Sequence, residues 1–348
     1  MTWVCRIPQG VLSFLPSSGP VFGNVITESK YFSAVNFTGS VPTFKTLWQN
    51  VANNLDKYIT FPKLIGECGG KNFHFVHPSA NADMVAAGKH LILRTVRSAW
   101  EYGGQKCSAC SRLYVPKSRW DEIFQKIKEI HKQVKLGDVS PFTYGTECSK
   151  FKISSQVRDG SIFFSAVIDK ASYDNIKSYI DYAKTGADGA KILLGGNCDD
   201  SKGYFIDATL ITVTDTSSKL IHEEIFGPIL TVYVYEDSKI EEVLASVKDH
   251  TPFGLTGAIF SEDKKFLYQF YLSNNLSARD VLRDAVGNMY LNDKSTGSVV
   301  GQQPFGGARM SGTNDKAGGP HYGIRWTSPL TIKETSVPLT EWRYPSMD

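Results

Sequence analysis

Apolar positions along the chain alternate between two spacings, one typical of strands and one typical of helices. Short apolar runs predict strands over Val11–Leu15, over Phe32–Phe37 and from Leu64 to Glu67. Between the last two, helical spacing spans Val41–Leu55. One face of that helix would be apolar: Val41, Phe44, Leu47, Trp48, Val51 and Leu55. Strand, helix and strand joined by short loops predict an α/β unit with parallel pairing.

The same alternation continues through the rest of the chain. Helices are predicted over Trp120–Val134, Tyr173–Thr185 and Glu241–Val247. Strands are predicted over Lys191–Leu194, Ile229–Tyr235, Gly257–Phe260 and Gly287–Leu291. No internal repeat interrupts the pattern, which is typical of an α/β protein.

Composition is that of an ordinary globular protein. The 348 residues are 41% hydrophobic, with 38 basic and 35 acidic side chains. This length predicts about two domains. Because the charges nearly balance, we expect neither nucleic acid nor an acidic membrane surface as a partner. No apolar run reaches the ~20 residues of a membrane span.

Cysteine is scattered along the chain, at positions 5, 68, 107, 110, 148 and 198. Scattered thiols favour a reducing compartment in which they stay free. Cys107 and Cys110 form a C-x-x-C string, but the preceding Gly-Gly-Gln-Lys is not typical of a thioredoxin-like site. No second Cys/His pair completes a zinc site, so we expect no metal.

Cys107 is the candidate nucleophile. It lies in a glycine-led string, GQKCS, and a thiol attacks a carbonyl even when only a few per cent is ionised. Lys106 beside it would favour the thiolate. The backbone N–H of Cys107 would help to hold an oxyanion. The ordinary alternative is a buried structural cysteine.

Glu67 is the candidate general base. It ends a predicted strand just before Gly69 and Gly70. A partly buried carboxylate has a raised pKa and can accept a proton from water. The alternative is an ion pair with Lys71. A thiol and a carboxylate together can form a thioester and then hydrolyse it.

Two turns are candidates for nucleotide binding. Gly39 and Ser40 end a strand and open a helix, where free N–H groups attract phosphate. Glu224 and Phe226 share a tight turn before a strand, where a carboxylate suits ribose hydroxyls and a ring suits a nicotinamide. Either turn is also compatible with an ordinary polar loop.

A third turn is a candidate for binding an anion. The segment Asn292–Ser298 follows a predicted strand and offers successive N–H groups and hydroxyls, which suit a substrate carboxylate. Phe305 follows closely and would cover an aliphatic substrate. A plain polar loop is the alternative.

Four longer strings give the chain a resemblance to the aldehyde dehydrogenase superfamily. They are GECGGKNFH at Gly66–His74, EYGGQKCSACSRLY at Glu101–Tyr114, NDKSTGSVVGQQPFGG at Asn292–Gly307 and SGTNDKAGGPHY at Ser311–Tyr322. Within that superfamily, they resemble the mitochondrial branch that oxidises L-glutamate γ-semialdehyde to glutamate with NAD. The resemblance covers nearly the whole chain.

This resemblance implies an aldehyde-dehydrogenase-like α/β fold, with a partial Rossmann-type cofactor domain and an α/β catalytic domain. Residues 1–69 would be the C-terminal part of the NAD-binding domain and residues 70–311 the catalytic domain. Residues 312–348 would return toward the cofactor domain or a subunit interface. A homodimer or higher homo-oligomer in the mitochondrial matrix is implied as well.

The resemblance also implies residue roles. Cys107 would attack the aldehyde and Glu67 would activate water. The substrate carboxylate and its methylene chain would be held by Lys106, Ser108, Gly297, Ser298 and Phe305. The pyrophosphate and nicotinamide ribose of NAD would be bound by Gly39, Ser40, Glu224 and Phe226.

Departures from the family pattern leave a second interpretation open. Family members carry a long portion ahead of the position of Val11, with cofactor-binding strands and an oxyanion asparagine. Three stretches look inserted, at about Lys89–Arg94, Glu147–Ile162 and Tyr268–Ser277. The chain would then be an inactive fragment that serves as a binding or subunit-interface module through Arg325–Trp342.

Overall fold

A small parallel sheet and its helices form the first part of the fold. The computed structural model describes residue 8 and residues 10–80, 92–138, 161–269 and 276–347. The first elements are α1 (Gly19–Glu28), β1 (Ala34–Thr38), α2 (Val41–Asn53) and β2 (Lys63–Glu67). Strands β1 and β2 pair in parallel, with Thr38 opposite Glu67 at their ends. This pairing brings Glu67 next to the loop that opens α2.

A seven-stranded sheet forms the second part. Its strands, in chain order, are β3 (Asn72–Val76), β4 (Cys110–Pro116), β5 (Lys191–Leu194), β8 (Thr209–Val213), β9 (Ile229–Tyr235), β11 (Thr256–Phe260) and β12 (Asn288–Leu291). Their spatial order is β12-β11-β3-β4-β9-β8-β5. All neighbours pair in parallel except β5 and β8, which are antiparallel. Two antiparallel strand pairs lie outside this sheet: β6 (Cys198–Asp199) with β7 (Phe205–Ile206), and β10 (Phe253–Gly254) with β13 (Ala308–Arg309).

Helices cover both faces of the large sheet. They are α3 (Ile92–Trp100), α4 (Lys117–His131), α5 (Lys170–Lys184), α6 (Lys219–His222), α7 (Ile240–Ser246), α8 (Lys264–Tyr268) and α9 (Ala278–Val281). Leu113 of β4 lies in one core cluster with residues of α3 and α4, whereas Tyr114 lies in another with residues of α7 and α8. Successive strand residues point to opposite faces, so both faces of β4 are buried.

The predicted α/β class and its parallel pairing are confirmed. Strands Lys191–Leu194 and Ile229–Tyr235 have the predicted limits, and the predicted helices are present with slightly shifted ends. Strands β3 and β4 were not predicted, because buried polar residues, among them His74 and Arg112, interrupt their apolar pattern.

The prediction of a buried strand over Val11–Leu15 is wrong. This run is a bend followed by coil, and the side chain of Phe14 is 90% exposed. No strand in the described ranges pairs with it, and a strand without a partner leaves its backbone groups unpaired. The apolar face of α2 is also narrower than predicted, since Trp48 is 48% exposed and Leu55 lies in a separate 3₁₀ turn.

Some sequence predictions cannot be followed in the fold. Most of Glu147–Ile162 and of Tyr268–Ser277 and half of Lys89–Arg94 lie outside the described residues. The small sheet precedes residue 70 and the large sheet follows it, while the three domain limits stay a prediction. Over the ranges that the structure describes, every helix is too short or too polar to cross a membrane.

A pair of phenylalanine substitutions tests this placement of the core. Phe75 of β3 is fully buried and stacks on Tyr235, with ring centroids 5.4 Å apart. We expect Phe75→Ala to lower the free energy of unfolding by about 3–5 kcal/mol, because it leaves a cavity. Phe14→Ala is the matched control and should change it by less than about 0.5 kcal/mol. Urea denaturation followed by circular dichroism measures both, and similar losses in the two variants would contradict the assignment of Phe14 to the surface.

Candidate active site

The turn that joins β2 to β3 lies at the centre of the candidate site. Glu67 is the last residue of β2, and Gly69 and Gly70 follow it. The Glu224 carboxylate occupies the space that a Cβ at position 69 would need, and a Cβ at position 70 would lie 2.5 Å from the carbonyl oxygen of Cys107. The N–H of Gly70 donates to Oε1 of Glu224 at 2.8 Å. Glycine at both positions therefore lets these groups approach one another.

The loop that carries Cys107 is tied to the first residue of β3. The side-chain amide of Asn72 donates to the carbonyl oxygens of Cys107 and Ala109, both at 2.8 Å. Asn72 is buried and also accepts the N–H of Thr256 at 3.0 Å. Our sequence analysis missed Asn72, although it directly follows the Gly-Gly-Lys string. Its amide fixes the position of the candidate nucleophile.

The environment of the Cys107 thiol disfavours its ionised form. Burial raises the pKa of Cys107, and the nearby carboxylates of Glu224 and Glu67 raise it further. The backbone N–H groups of Ser108 and of Cys107 itself act in the opposite direction. The thiol is therefore predominantly protonated near neutral pH.

Lys106 is shared with a second acidic group. Its ammonium donates to Oε2 of Glu101 at 2.8 Å. The main charges that act on Cys107 are the carboxylates of Glu224 and Glu67, so the expected effect of Lys106 on the thiolate stays a prediction. Lys106 still lines the cavity described below.

Glu67 has the properties expected of a general base. Burial raises its pKa to about 7, the N–H of Gly307 and the charge of Lys316 oppose this rise, and Asp315 adds to it. Oε2 of Glu67 accepts the Gly307 N–H at 3.0 Å. The alternative ion pair with Lys71 is not formed, since the Lys71 ammonium is buried without a hydrogen-bond partner. A carboxyl group with this pKa can accept and release a proton near neutral pH.

The start of α2 borders the same cavity. Ser40 caps this 13-residue helix through its side-chain oxygen, and the Gly39 N–H donates to the carbonyl oxygen of Glu67 at 3.1 Å. The dipole of α2 favours an anion at this end of the helix. Phe226 is 44% exposed in a left-handed conformation, with φ of 58°, so its ring stays accessible.

The predicted anion-binding turn brings together hydroxyl groups from two loops. Oγ of Ser108 lies 2.7 Å from Oγ1 of Thr296, and Oγ of Ser298 lies 2.6 Å from the hydroxyl of Tyr290. Gly297 between them has φ of 81°, a conformation that favours glycine. Thr296 lies in the predicted anion-binding segment, but its contact with Ser108 was not predicted, because it joins residues far apart in the chain.

One cavity of about 920 Å³ unites these groups. All candidate residues from the sequence line it: Gly39, Ser40, Glu67, Lys106, Cys107, Ser108, Glu224, Phe226, Gly297, Ser298 and Phe305. Further lining residues are Thr38, Cys68, Gly69, Gln105, Thr296, Val300, Ala317 and Gly318. The volume is typical of a site for a small-molecule ligand. The individual roles stay predictions.

A thiol and a carboxyl group in one cavity at the edge of a parallel sheet suggest a class of enzyme, and sequence comparison identifies it. The profile of the Aldehyde dehydrogenase family matches residues 1–332, so the chain belongs to this family. Mitochondrial Δ1-pyrroline-5-carboxylate dehydrogenases of Danio rerio and Homo sapiens are 52% and 51% identical to it over 341 residues. These matches cover 98% of this chain and 56% and 55% of the relatives.

Solved structures show the same relationship. The Δ-pyrroline-5-carboxylate dehydrogenase of Mycobacterium tuberculosis bound with NAD has a TM-score of 0.80 and 36% identity, covering 99% of this chain and 57% of that one. The Thermus enzyme with bound NAD has a TM-score of 0.74 and 28% identity, covering 92% and 55%. The aldehyde-dehydrogenase-like fold is therefore confirmed. The chain spans about half the length of the relatives it matches.

The charges around Cys107 should determine how fast its thiol is alkylated. Glu224→Gln removes a carboxylate that raises the pKa of Cys107, so the thiolate fraction should increase. We expect alkylation of Cys107 by iodoacetamide at pH 8 to become about three- to tenfold faster. Glu223→Gln is the matched control, because the Glu223 carboxylate accepts the hydroxyl of Tyr179 and is not among the main charges that act on Cys107. Mass spectrometry of the peptide containing Cys107 gives both rates, and slower alkylation of the Glu224→Gln variant would contradict this electrostatic assignment.

Proposed function

We propose that this chain carries the catalytic residues of an NAD-dependent aldehyde dehydrogenase of proline catabolism. The substrate would be L-glutamate γ-semialdehyde, the open form of 1-pyrroline-5-carboxylate, and the product L-glutamate. The main support is that Cys107, Glu67 and the hydroxyl-lined turn at 296–298 share one cavity. The names of relatives that are 51% and 52% identical agree with this substrate.

The first chemical step would join Cys107 to the substrate. The sulfur bonds to the aldehyde carbon as the thiol loses its proton, and the carbonyl oxygen becomes an oxyanion. The backbone N–H of Cys107 would donate to that oxygen. NAD, when bound, supplies the acceptor for the hydride that leaves the same carbon. A thioester then remains on Cys107.

Hydrolysis of the thioester would depend on Glu67. Its carboxylate takes a proton from a water molecule, and the water oxygen attacks the thioester carbonyl. The C–S bond breaks, the product leaves as a carboxylate, and Cys107 regains its thiol. Because the pKa of Glu67 is about 7, a large fraction of the carboxyl group is ionised near neutral pH and can begin this step.

The remaining cavity residues fit both ligands. The capped start of α2 at Gly39 and Ser40 suits the NAD pyrophosphate, and Glu224 and Phe226 suit the nicotinamide ribose and ring. The substrate carboxylate would be bound by Ser108, Gly297 and Ser298, with Phe305 against the methylene chain. Lys106 is the weakest member of this proposed set, because Glu101 already neutralises its charge.

Location and assembly follow from the same relatives. We propose the mitochondrial matrix, as the names of the animal relatives suggest. We also propose a homodimer or higher homo-oligomer. Residues 327–347 are exposed and carry several apolar side chains, which suits a contact with a second copy of the chain. The competing interpretation is an inactive module that keeps only this contact.

An assay with the purified chain separates the two interpretations. We expect NADH formation with 1-pyrroline-5-carboxylate and NAD, and a loss of at least about 10³-fold in Cys107→Ala, which lacks the nucleophile. Cys198→Ala removes a free cysteine outside the cavity and should keep the activity. Absorbance at the NADH band measures the rate. A folded wild-type chain that forms no NADH would favour the inactive module.

A second substrate tests the carboxylate site. Ser298→Ala should raise the KM for the semialdehyde by about tenfold or more, because a hydrogen bond to a charged group is lost. The KM for propanal, an aldehyde without a carboxylate, should not change. Steady-state kinetics with both aldehydes measures the difference. An equal rise for both would show that Ser298 does not recognise the carboxylate.

A further inference from the structure

Lys316 is held in an uncommon backbone conformation beside the base. Its φ is 58°, in the left-handed region that residues other than glycine seldom adopt. Its ammonium donates to the carbonyl oxygens of Gly287 at 2.5 Å and Gly306 at 3.2 Å, and to Oδ1 of Asn288 at 3.3 Å. The side chain therefore links the start of β12 to the segment at 304–307.

The segment at 304–307 is fixed from both sides. The amide of Asn288 donates to the carbonyl oxygen of Pro304 at 3.0 Å and accepts the N–H of Gly306 at 3.1 Å. The Phe305 N–H donates to the carbonyl oxygen of Ala317 at 2.9 Å. A Cβ at position 306 would lie 3.1 Å from the backbone nitrogen of Lys316. The two stretches consequently pack with almost no free space between them.

This braced segment holds two cavity residues in place. Its last N–H, that of Gly307, donates to Oε2 of Glu67 at 3.0 Å. Phe305 in the same segment lines the cavity. A single ammonium thus supports both the hydrogen bond to the base and the ring next to the substrate.

The charges around Glu67 indicate a second effect of Lys316. Lys316 favours the ionised form of Glu67, and Glu67 favours the charged form of Lys316. Asp315, which pairs with Arg325 at 2.5 Å, has the opposite effect on Glu67. Two thiols also lie close to Glu67, those of Cys68 and Cys107. Burial raises the pKa of both thiols, and the charge of Glu67 raises it further.

We propose that Lys316 is a positioning residue for Glu67: it braces the segment whose N–H holds the base, and its charge stabilises the ionised carboxylate. The inference rests on the proposed function only in taking Glu67 as the base. The simpler alternative is that the ammonium merely satisfies three part-buried oxygens. Loss of such an ammonium would leave the Gly307 N–H in place and would not change the pH at which Glu67 ionises.

An activated ester, p-nitrophenyl acetate, tests this without NAD. Cys107 attacks the acetyl carbonyl, the ester C–O bond breaks and p-nitrophenolate leaves, which gives a rapid burst of colour. Water then attacks the thioester with its proton passing to Glu67, and acetate and the free thiol are released. The slow phase after the burst therefore reports on Glu67, and in the wild-type chain it should rise with pH with a midpoint of about 7.

We expect Lys316→Met to move this midpoint upward by about one pH unit, since a neighbouring positive charge is lost. Lys316→Arg keeps the charge and should keep the midpoint. Asp315→Asn, which leaves Lys316 intact, should move it downward. Lys63→Met is the matched control: Lys63 lies on the same strand as Glu67 and binds a carbonyl oxygen, but its charge does not act on Glu67.

Four outcomes decide between the proposals. Opposite shifts in Lys316→Met and Asp315→Asn support the inference. A normal burst with the wild-type midpoint in Lys316→Met overturns the inference and leaves the proposed function standing. If Lys316→Met does not fold, an unchanged midpoint in Asp315→Asn overturns the electrostatic account. A folded wild-type chain without any burst overturns the nucleophile assigned to Cys107, and with it both proposals.

Discussion

Close backbone approach at Gly69 and Gly70 is the constraint on which the site depends. These two residues follow Glu67 and Cys68 and carry the chain from the small sheet to the large one. The Glu224 carboxylate lies where a Cβ at position 69 would be, and the carbonyl oxygen of Cys107 lies against position 70. A methyl group at position 69 would displace the Glu224 carboxylate, and one at position 70 would press on the Cys107 loop. The absence of side chains at these two positions therefore helps to set the distances within the cavity.

Bringing a thiol and two carboxylates together has an electrostatic consequence. Each carboxylate disfavours the thiolate of Cys107, and burial acts in the same direction. Burial also raises the pKa of Glu67 to about 7. In the resting site the Cys107 thiol is therefore mostly protonated, and the pKa of Glu67 lies near neutral pH. In the proposed reaction, the thiol loses its proton only as the C–S bond forms, and the base is needed most in the hydrolytic step.

Buried polar side chains hold the loops around this site. Asn72 binds the carbonyl oxygens of the Cys107 loop, and Arg112 donates to the carbonyl oxygens of Lys71 and Val247. A backbone carbonyl that leaves water needs a donor, and these side chains supply it from within the strands. The same residues disrupted the apolar pattern of β3 and β4, which explains why our sequence analysis did not predict those strands.

The sequence by itself determined the α/β class, the helices α2, α4, α5 and α7, both strands of the small sheet and four strands of the large one, because apolar periodicity reflects which face each element buries. It also indicated the candidate nucleophile, the candidate base and the turns that line one cavity with them, since glycine, cysteine and carboxylate requirements are local. It misjudged Val11–Leu15, because an apolar run becomes a strand only if a neighbouring strand pairs with it. The ion pair of Lys106 with Glu101 and the carboxylates around Cys107 could not be predicted, because these groups meet only in the folded chain. The contacts of Asn72, Thr296 and Lys316 were likewise decided by tertiary structure alone, since each joins residues that are far apart in the chain.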